Sequence, residues 1–138
     1  ARPFCEVQAE PADVVVVSAP LPVSSSLYQA SKLLPPAGLL LREGGTVVVA
    51  AECPEGTGPL DVVNEKIFAL GVRRYLPTRH APFLVSGMDE AVVSHTYATF
   101  APSVGWALAR ARERVGKAVL DVVVLPDAGD LVPRVAKT

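Results

Sequence analysis

The chain of 138 residues is poor in the residue types that mark several common protein classes. It contains two cysteines, two histidines, one tryptophan and one methionine. Two cysteines cannot form the framework of a small disulfide-rich secreted domain, so we interpret Cys5 and Cys53 as free thiols of a cytoplasmic protein. His80 and His95 have no Cys, Asp or Glu at metal-ligand spacing, and no metal site built by this chain is expected.

An excess of charge of one sign and long apolar runs are also lacking. The 13 Lys and Arg residues nearly balance the 14 Asp and Glu residues, which gives a formal net charge of −1. This balance provides no electrostatic footprint for nucleic acid or for an anionic membrane. Proline and glycine break the apolar stretches into short clusters, far below the ~20 residues that span a bilayer. Neither a nucleic acid nor a membrane is therefore expected as a partner.

A glycine-rich phosphate loop is missing as well. No Gly-x-Gly-x-x-Gly sequence follows a valine-rich run, and the turn after the first of these runs is rich in proline instead. A dinucleotide site or a P-loop is therefore not expected.

What the sequence does contain is a regular alternation of valine-rich runs and helix-like stretches. Half of the residues are apolar, which is enough for one core in a single domain spanning residues 1–138. The alternation is typical of βαβ units, and runs that are apolar on both faces favour parallel strands covered by helices. We predict an α/β fold, a Rossmann-like three-layer sandwich with about four mostly parallel strands and helices on both faces.

The boundaries of these elements follow from apolar spacing and from turn residues. Strands are predicted at Ala12–Ser18, Thr46–Ala51, Phe83–Ser86 and Val119–Leu125. Helices are predicted at Leu27–Leu34, Ala37–Leu41, Leu60–Leu70, Met88–His95 and Ser103–Val115. The serines 24–26 offer N-caps, Pro35 and Pro36 are expected to interrupt a helix, and Gly71 and Gly116 are expected to end helices. The region Val72–Pro82 leaves a further short strand open.

Three polar residues share one face of the first predicted helix. Tyr28, Gln29 and Lys32 have the spacing that places side chains together on a helix surface. The helix begins just past the carboxyl end of the first strand, which is the edge where open α/β sheets bind ligands. A phenol, an amide and a cation on this face could bind a small anionic substrate, although an ordinary solvated face has the same spacing. The turn Leu125–Asp130 follows the last strand at the same edge, where its carboxylates could contact a ligand or cap the turn.

Three stretches together resemble a known family. Pro11–Ser18, Leu27–Lys32 and Glu43–Gly58 give an ordered set: an Ala-Asp strand, Tyr-Gln-x-x-Lys, and a Gly-Gly strand followed by Glu-Cys-x-Glu-Gly. In this order they resemble the C-terminal domain of the lactate racemase family, strongly over the first half of the chain and weakly beyond it. Enzymes of that family interconvert the stereoisomers of 2-hydroxy acids with a nickel-pincer nucleotide.

The resemblance implies that residues 1–138 are the C-terminal domain of a two-domain isomerase with its active site between the domains. The N-terminal domain, the implied partner, would carry the cofactor, the nickel ligand and the acid–base histidines. No catalytic residue and no metal ligand is then expected in this chain, which should be inactive alone. Lys32 would pair with the carboxylate of a small 2-hydroxy acid while Gln29 and Tyr28 orient it. Hydride would leave the 2-carbon for the pincer pyridinium and return to the other face.

The chain departs from the family pattern at one turn. Many members carry Gly-Gly-x-Pro-x-Asp where this chain has Ala19–Ser26, and the loss of glycine changes how closely the backbone can approach a ligand. The resemblance therefore leaves open which 2-hydroxy acid is the substrate. The alternative to an enzyme domain is a stand-alone Rossmann-like binding or interaction module without catalysis. A start at Ala1 without a preceding Met favours a fragment over a complete product that has lost its initiator Met.

Overall fold

A five-stranded parallel sheet forms the centre of the fold. The computed structural model describes residues 5–9, 11–116, 119–125 and 131–135. In chain order the strands are β1 (Cys5–Ala9), β2 (Ala12–Ser18), β3 (Leu41–Ala50), β4 (Phe83–Val85), β5 (Thr99–Phe100), β6 (Val122–Leu125) and β7 (Leu131–Val135). The main sheet has the order β5-β4-β3-β2-β6, and β1 pairs with β7 in a separate two-stranded parallel sheet. The strand order reverses at β2, since β6 lies on its far side from β3.

Helical segments connect these strands. They are α1 (Leu27–Ala30), α2 (Leu34–Leu39), a π helix (Val62–Val72), α3 (Glu90–Val93) and α4 (Val104–Val115), with 3₁₀ turns at Ser31–Leu33 and Arg73–Tyr75. Ser103 caps α4 by accepting a hydrogen bond from the Trp106 N–H, and Gly116 ends it with a φ of 77°. Both ends of this helix agree with the prediction, because a serine hydroxyl and a glycine suit these two positions.

Helices cover both faces of the main sheet. Val15 and Val17 of β2 are fully buried in a cluster that includes residues of α1, α2 and the π helix. Val14 and Val16 point the other way and pack in a second cluster with Ala107 and Ala111 of α4. Successive strand residues face opposite sides, so the whole valine run is buried. The predicted α/β three-layer architecture is confirmed.

Several predicted boundaries are wrong, each for a local reason. Pro35 and Pro36 do not interrupt the helical path, because they occupy the first turn of α2, where a missing N–H costs no hydrogen bond. Leu41 begins β3 and does not end a helix. Gly71 lies inside the π helix, and the backbone N–H of Arg73 donates to the carbonyl oxygen of Phe68, five residues back. The region Val72–Pro82 contains a 3₁₀ turn and no strand.

The sheet also has one strand more than predicted. β5 consists of Thr99 and Phe100 alone, and two residues are too few to show a strand pattern in sequence. The last strand of the main sheet begins at Val122 and not at Val119. The β1–β7 pair was not predicted either.

A cluster of polar side chains links the amino ends of β2, β3 and β6. The Arg42 Nη1 donates to Asp121 Oδ2 at 2.6 Å and to Asp13 Oδ1 at 3.1 Å. The backbone N–H of Asp121 donates to Asp13 Oδ2 at 3.0 Å. These two carboxylates, Asp121 foremost, raise the pKa of the Arg42 guanidinium. Asp13 is buried, and its charge is tolerated because it accepts these hydrogen bonds.

Candidate functional site

Loops from three neighbouring strands join at the carboxyl edge of the main sheet. The backbone N–H of Cys53, after β3, donates to the carbonyl of Ser24, after β2, at 2.9 Å. The Gly87 N–H, after β4, donates to the carbonyl of Glu52 at 2.9 Å. We call this region, residues 19–29, 51–59 and 86–89, the carboxyl-edge site. Its backbone is fixed by these bonds, which is what a binding surface built from loops requires.

The start of α1 is held by the loop that follows β3. The Oγ of Ser26 accepts a hydrogen bond from the Gln29 N–H at 3.2 Å, which confirms an N-cap in the serine cluster. The N–H groups of Leu27 and Tyr28 donate to the carbonyls of Gly56 and Thr57 at 3.0 and 3.1 Å. The first helical N–H groups, which have no partners within a helix, are thereby satisfied. Tyr28 and Gln29 consequently have a defined position at the carboxyl-edge site.

Tyr28, Gln29 and Lys32 lie on the outer side of the run Leu27–Leu33. Tyr28 is 39% exposed and Lys32 is exposed, whereas Leu27, Ala30, Ser31 and Leu33 are buried. Tyr28 and Gln29 line a cleft of about 570 Å³. Lys32 is one turn further along the same side and does not line this cleft. It forms no hydrogen bond or ion pair with any residue in the ranges that the structure describes.

Glu55 and Gly58 complete this cleft from the loop after β3. A Cβ atom on Gly58 would lie 2.9 Å from the Tyr28 Cβ, and the φ of Gly58 is +81°. Glycine is therefore required here for two reasons, close approach and a left-handed backbone. Sequence reasoning did not assign a role to Glu55, although it lies in the Glu-Cys-x-Glu-Gly stretch that carries the family resemblance.

A network of hydrogen bonds around the buried Ser31 and the half-buried Tyr97 lies beneath the turn that carries Lys32. The Ser31 Oγ donates to the Leu27 carbonyl at 2.8 Å and lies 2.7 Å from the Tyr97 hydroxyl. Since Ser31 has a single hydroxyl proton, Tyr97 is the donor to Ser31. The Tyr97 ring stacks on Phe68 with centroids 4.2 Å apart. Burial raises the pKa of the Tyr97 phenol, which therefore stays protonated as a donor.

Asn64 extends this network to the backbone. Its Oδ1 accepts from the Tyr97 N–H at 2.9 Å, and its Nδ2 donates to the His95 carbonyl at 2.8 Å. The π helix and the segment before β5 thus support the Lys32 turn from below. Sequence reasoning missed this support, because the Ser31–Tyr97 pair is separated by 66 residues and no local pattern signals it.

Cys53 is not built as a nucleophile. It is 3% exposed and has a φ of +53°. Burial, and then the nearby charge of Glu52, raise the pKa of the thiol to about 11. The reactive species of cysteine is the thiolate, so this residue contributes packing at the carboxyl-edge site.

Residues 5–9, 11–116, 119–125 and 131–135 lack both a metal-binding cluster and a membrane-spanning helix. Within these ranges no three His, Cys, Asp or Glu side chains are grouped so that they could hold a metal ion. No helix there has both the length and the apolar character needed to cross a bilayer. The predicted turn at residues 126–130 lies outside the described residues.

The fold is an open parallel α/β domain with a cleft at the carboxyl edge of its main sheet. A solved structure of the lactate racemase apoprotein from Thermoanaerobacterium thermosaccharolyticum shares this fold with a TM-score of 0.78. The two chains are 22% identical, and the match covers 94% of this chain and 37% of that one.

Sequence comparison identifies a relative of the same kind. A lactate racemase from the same organism is 33% identical over an alignment of 85 residues, and the match covers 51% of this chain and 20% of that protein. The matched part therefore spans about a fifth of the length of the curated relative by sequence, and the match by fold spans 37% of the solved chain. No model of a protein family matches the sequence. The predicted resemblance to the lactate racemase family is confirmed, by sequence over half of the chain and by fold over nearly all of it.

Proposed function

We propose that this chain is the substrate-closing, C-terminal domain of a lactate racemase-like isomerase that acts on a 2-hydroxy acid. The observation that carries the proposal is the outer side of α1, where Tyr28 and Gln29 line a cleft at the carboxyl edge of a racemase-like sheet and the exposed Lys32 follows one turn later. Ligands of open α/β sheets bind at this edge.

The three side chains supply complementary contacts to such a substrate. The Lys32 ammonium, which no acidic group in the described residues neutralises, would form a charge-assisted hydrogen bond with the substrate carboxylate. The Tyr28 hydroxyl and the Gln29 amide can each donate and accept, so they would orient the substrate oxygens. Fixing the carboxylate on one side presents the 2-carbon in one orientation, which lowers the entropic part of the barrier.

The redox part of the reaction is assigned to the remainder of the enzyme. In this family a nickel-pincer nucleotide supplies hydride transfer at the 2-carbon. The described residues provide no donor set for nickel, so we propose that the N-terminal domain holds the cofactor and the acid–base groups. This chain would then bind, orient and cover the substrate, and would be inactive alone.

The test is the substitution Lys32→Ala in the complete enzyme. We expect a raised KM and a lowered kcat, because losing a charged hydrogen bond to substrate costs about 1.5–3 kcal/mol in kcat/KM. The stability of the protein should change by less than ~0.5 kcal/mol, since Lys32 is exposed. Steady-state racemisation kinetics and thermal melting measure the two effects.

Lys66→Ala is the matched control. Lys66 is an exposed lysine on the π helix, away from the carboxyl-edge site, and its removal should leave both kinetic constants unchanged. Equal kinetics for the two variants would show that Lys32 belongs to a solvated helix face and contacts no substrate.

A further inference from the structure

A second cleft lies at the opposite edge of the main sheet and on its other face. It has a volume of about 400 Å³ and is lined by Phe83, Thr99, Trp106, Arg110, Glu113 and Arg114. Phe83 and Thr99 are the first residues of β4 and β5, so the cleft opens at the amino ends of these strands. The carboxyl-edge site lies at their other ends, beneath different helices.

Aromatic surface forms one side of this cleft. Trp106 is 39% exposed, and its ring meets that of Phe83 edge to face, with centroids 5.7 Å apart. Arg110 and Arg114 follow Trp106 at intervals of four residues, which places all three side chains along one side of α4. Each guanidinium covers a ring: Arg110 lies 5.6 Å from the Trp106 centroid and Arg114 lies 4.2 Å from that of Phe83.

The two arginines differ in how their charge is balanced. Arg110 pairs with Glu113 at 3.2 Å. Arg114 is partly buried and donates to the carbonyl of Ala81 at 3.2 Å, but it has no ion pair among the described residues. Burial lowers the pKa of Arg114, as expected for a partly desolvated cation. Of the five N–H donors of Arg114 one is used by Ala81, and no other hydrogen bond joins Arg114 to a described residue.

We propose that this cleft binds a small planar aromatic carboxylate. The carboxylate would pair with the Arg114 guanidinium, whose planar fork matches carboxylate geometry. The ring would lie against Trp106 beside Arg110, where stacking and cation–π attraction both favour a flat aromatic group. The volume suits a ligand of this size, at the lower end of small-molecule sites. This site is independent of substrate binding at Lys32.

Tryptophan fluorescence reports on this site alone, because Trp106 is the single tryptophan of the chain. Titration of the 138-residue protein with benzoate should give a saturable change in tryptophan fluorescence with a Kd of about 1 mM, as expected for so small a ligand. Benzamide keeps the ring and loses the charge, and it should bind about tenfold more weakly. Cyclohexanecarboxylate keeps the charge and loses the π system, and it should bind about threefold more weakly.

Substitutions on α4 test the role of the individual arginine. Arg114→Gln should weaken benzoate binding about tenfold. Arg112→Gln is the matched control, since Arg112 is exposed and lies on a different side of the same helix, and benzoate affinity should not change. A non-saturating response to benzoate, equal binding of benzamide, or the same Kd in both variants would overturn the proposal.

If Arg114→Gln does not fold, Arg114→Lys provides a second test of the same contact. Lysine preserves the charge and much of the packing against Phe83 but loses the bidentate fork. We expect benzoate to bind the Arg114→Lys protein several-fold more weakly, with far-ultraviolet circular dichroism confirming the fold. Unchanged affinity in this variant would overturn the assignment of the carboxylate to Arg114.

Discussion

At the scale of single residues, the polar side chains beneath the Lys32 turn are held by hydrogen bonds. Tyr97, Ser31 and Asn64 satisfy one another and nearby backbone groups. A buried hydroxyl of this kind stabilises the fold only while its partner is present, because an unpaired buried polar group carries a desolvation penalty. The geometry of the proposed substrate-binding face therefore depends on residues that lie outside it.

Removal of the Tyr97 hydroxyl measures this dependence. Tyr97→Phe keeps the stacking on Phe68 and deletes the hydrogen bond to Ser31, so we expect the free energy of unfolding to fall by about 1 kcal/mol. Tyr75→Phe is the control, since Tyr75 is exposed and among the described residues its hydroxyl accepts a hydrogen bond from Arg74 alone, and it should cost less than ~0.5 kcal/mol. Denaturant titration of both proteins makes the comparison. Equal stability of Tyr97→Phe and the unmodified chain would contradict the role given to the pair.

Cys53 gives a prediction about pH. Its thiol has a pKa raised from 9.0 to about 11, so between these values the unfolded chain loses the thiol proton while the folded protein keeps it. The contribution of this group to stability is fully present below pH 9 and declines as the pH rises through 11. The stability advantage of the unmodified protein over Cys53→Ala, measured by denaturant titration, should therefore shrink above pH 9. An advantage that stays constant from pH 8 to 11 would show that the thiol is not shielded from water.

At the scale of elements, local patterns predicted the strands and helices that have strong periodicity and missed those that depend on tertiary contacts. The limits of β2 were predicted to the residue, because six of its seven residues are buried and its four consecutive valines leave a clear apolar signal. β5 and the β1–β7 pair were missed because they are defined by their neighbours and not by their own composition. The predicted interruption at Pro35 and Pro36 was wrong, because proline breaks a helix in its interior but is accommodated in its first turn.

Gly38 in α2 provides a prediction at this scale, in which a change from glycine to alanine lowers the stability of the protein. Replacing glycine by alanine inside a helix normally stabilises it by up to ~1 kcal/mol. A Cβ on Gly38, however, would lie 2.1 Å from the carbonyl oxygen of Tyr75, and backbone atoms cannot move aside cheaply. Gly38→Ala should therefore destabilise the protein by about 1–3 kcal/mol.

Gly105→Ala in α4 is the control for this effect. The nearest atom that its Cβ would meet is the Ser103 Oγ at 4.0 Å, so the variant should be as stable as the parent or slightly more so. Thermal melting of the two variants decides the matter. A Gly38→Ala protein at least as stable as Gly105→Ala would show that α2 and the turn at Arg73–Tyr75 are not in close contact.

At the scale of the whole molecule, the core is centred on β2, and this was predictable from its valines. Val16→Asp places a charge at a position that is 5% exposed, between Val48 and Val124 on the neighbouring strands. An unpaired buried charge is among the costliest changes in a core, so we expect no cooperative unfolding transition. Val124→Asp puts the same charge on the same sheet face at the edge strand β6, where the side chain is 61% exposed, and this protein should still fold. Calorimetry distinguishes the two, and a cooperative transition in Val16→Asp would show that the core lies elsewhere.

Part of the candidate site could be predicted from the sequence and part could not, and the difference has a physical cause. Tyr28, Gln29 and Lys32 are close in sequence, so helical spacing alone places them on one face. Glu55 lines the same cleft as Tyr28 because the loop after β3 meets α1, and Tyr97 reaches Ser31 across 66 residues of the chain. Such pairings depend on the strand order, which no local pattern specifies.

The pairing of β2 with β6 has a consequence for synthesis on the ribosome. β2 gains its first neighbour, β3, early, but Val14 pairs on its other side with Val122. One edge of the most apolar strand therefore stays open until the residues of β6 have emerged. Distant pairings of this kind slow folding, and an open strand edge is a template for association with other chains. The nascent chain is thus exposed to association between the synthesis of β3 and that of β6, and chaperone protection would matter most in that interval.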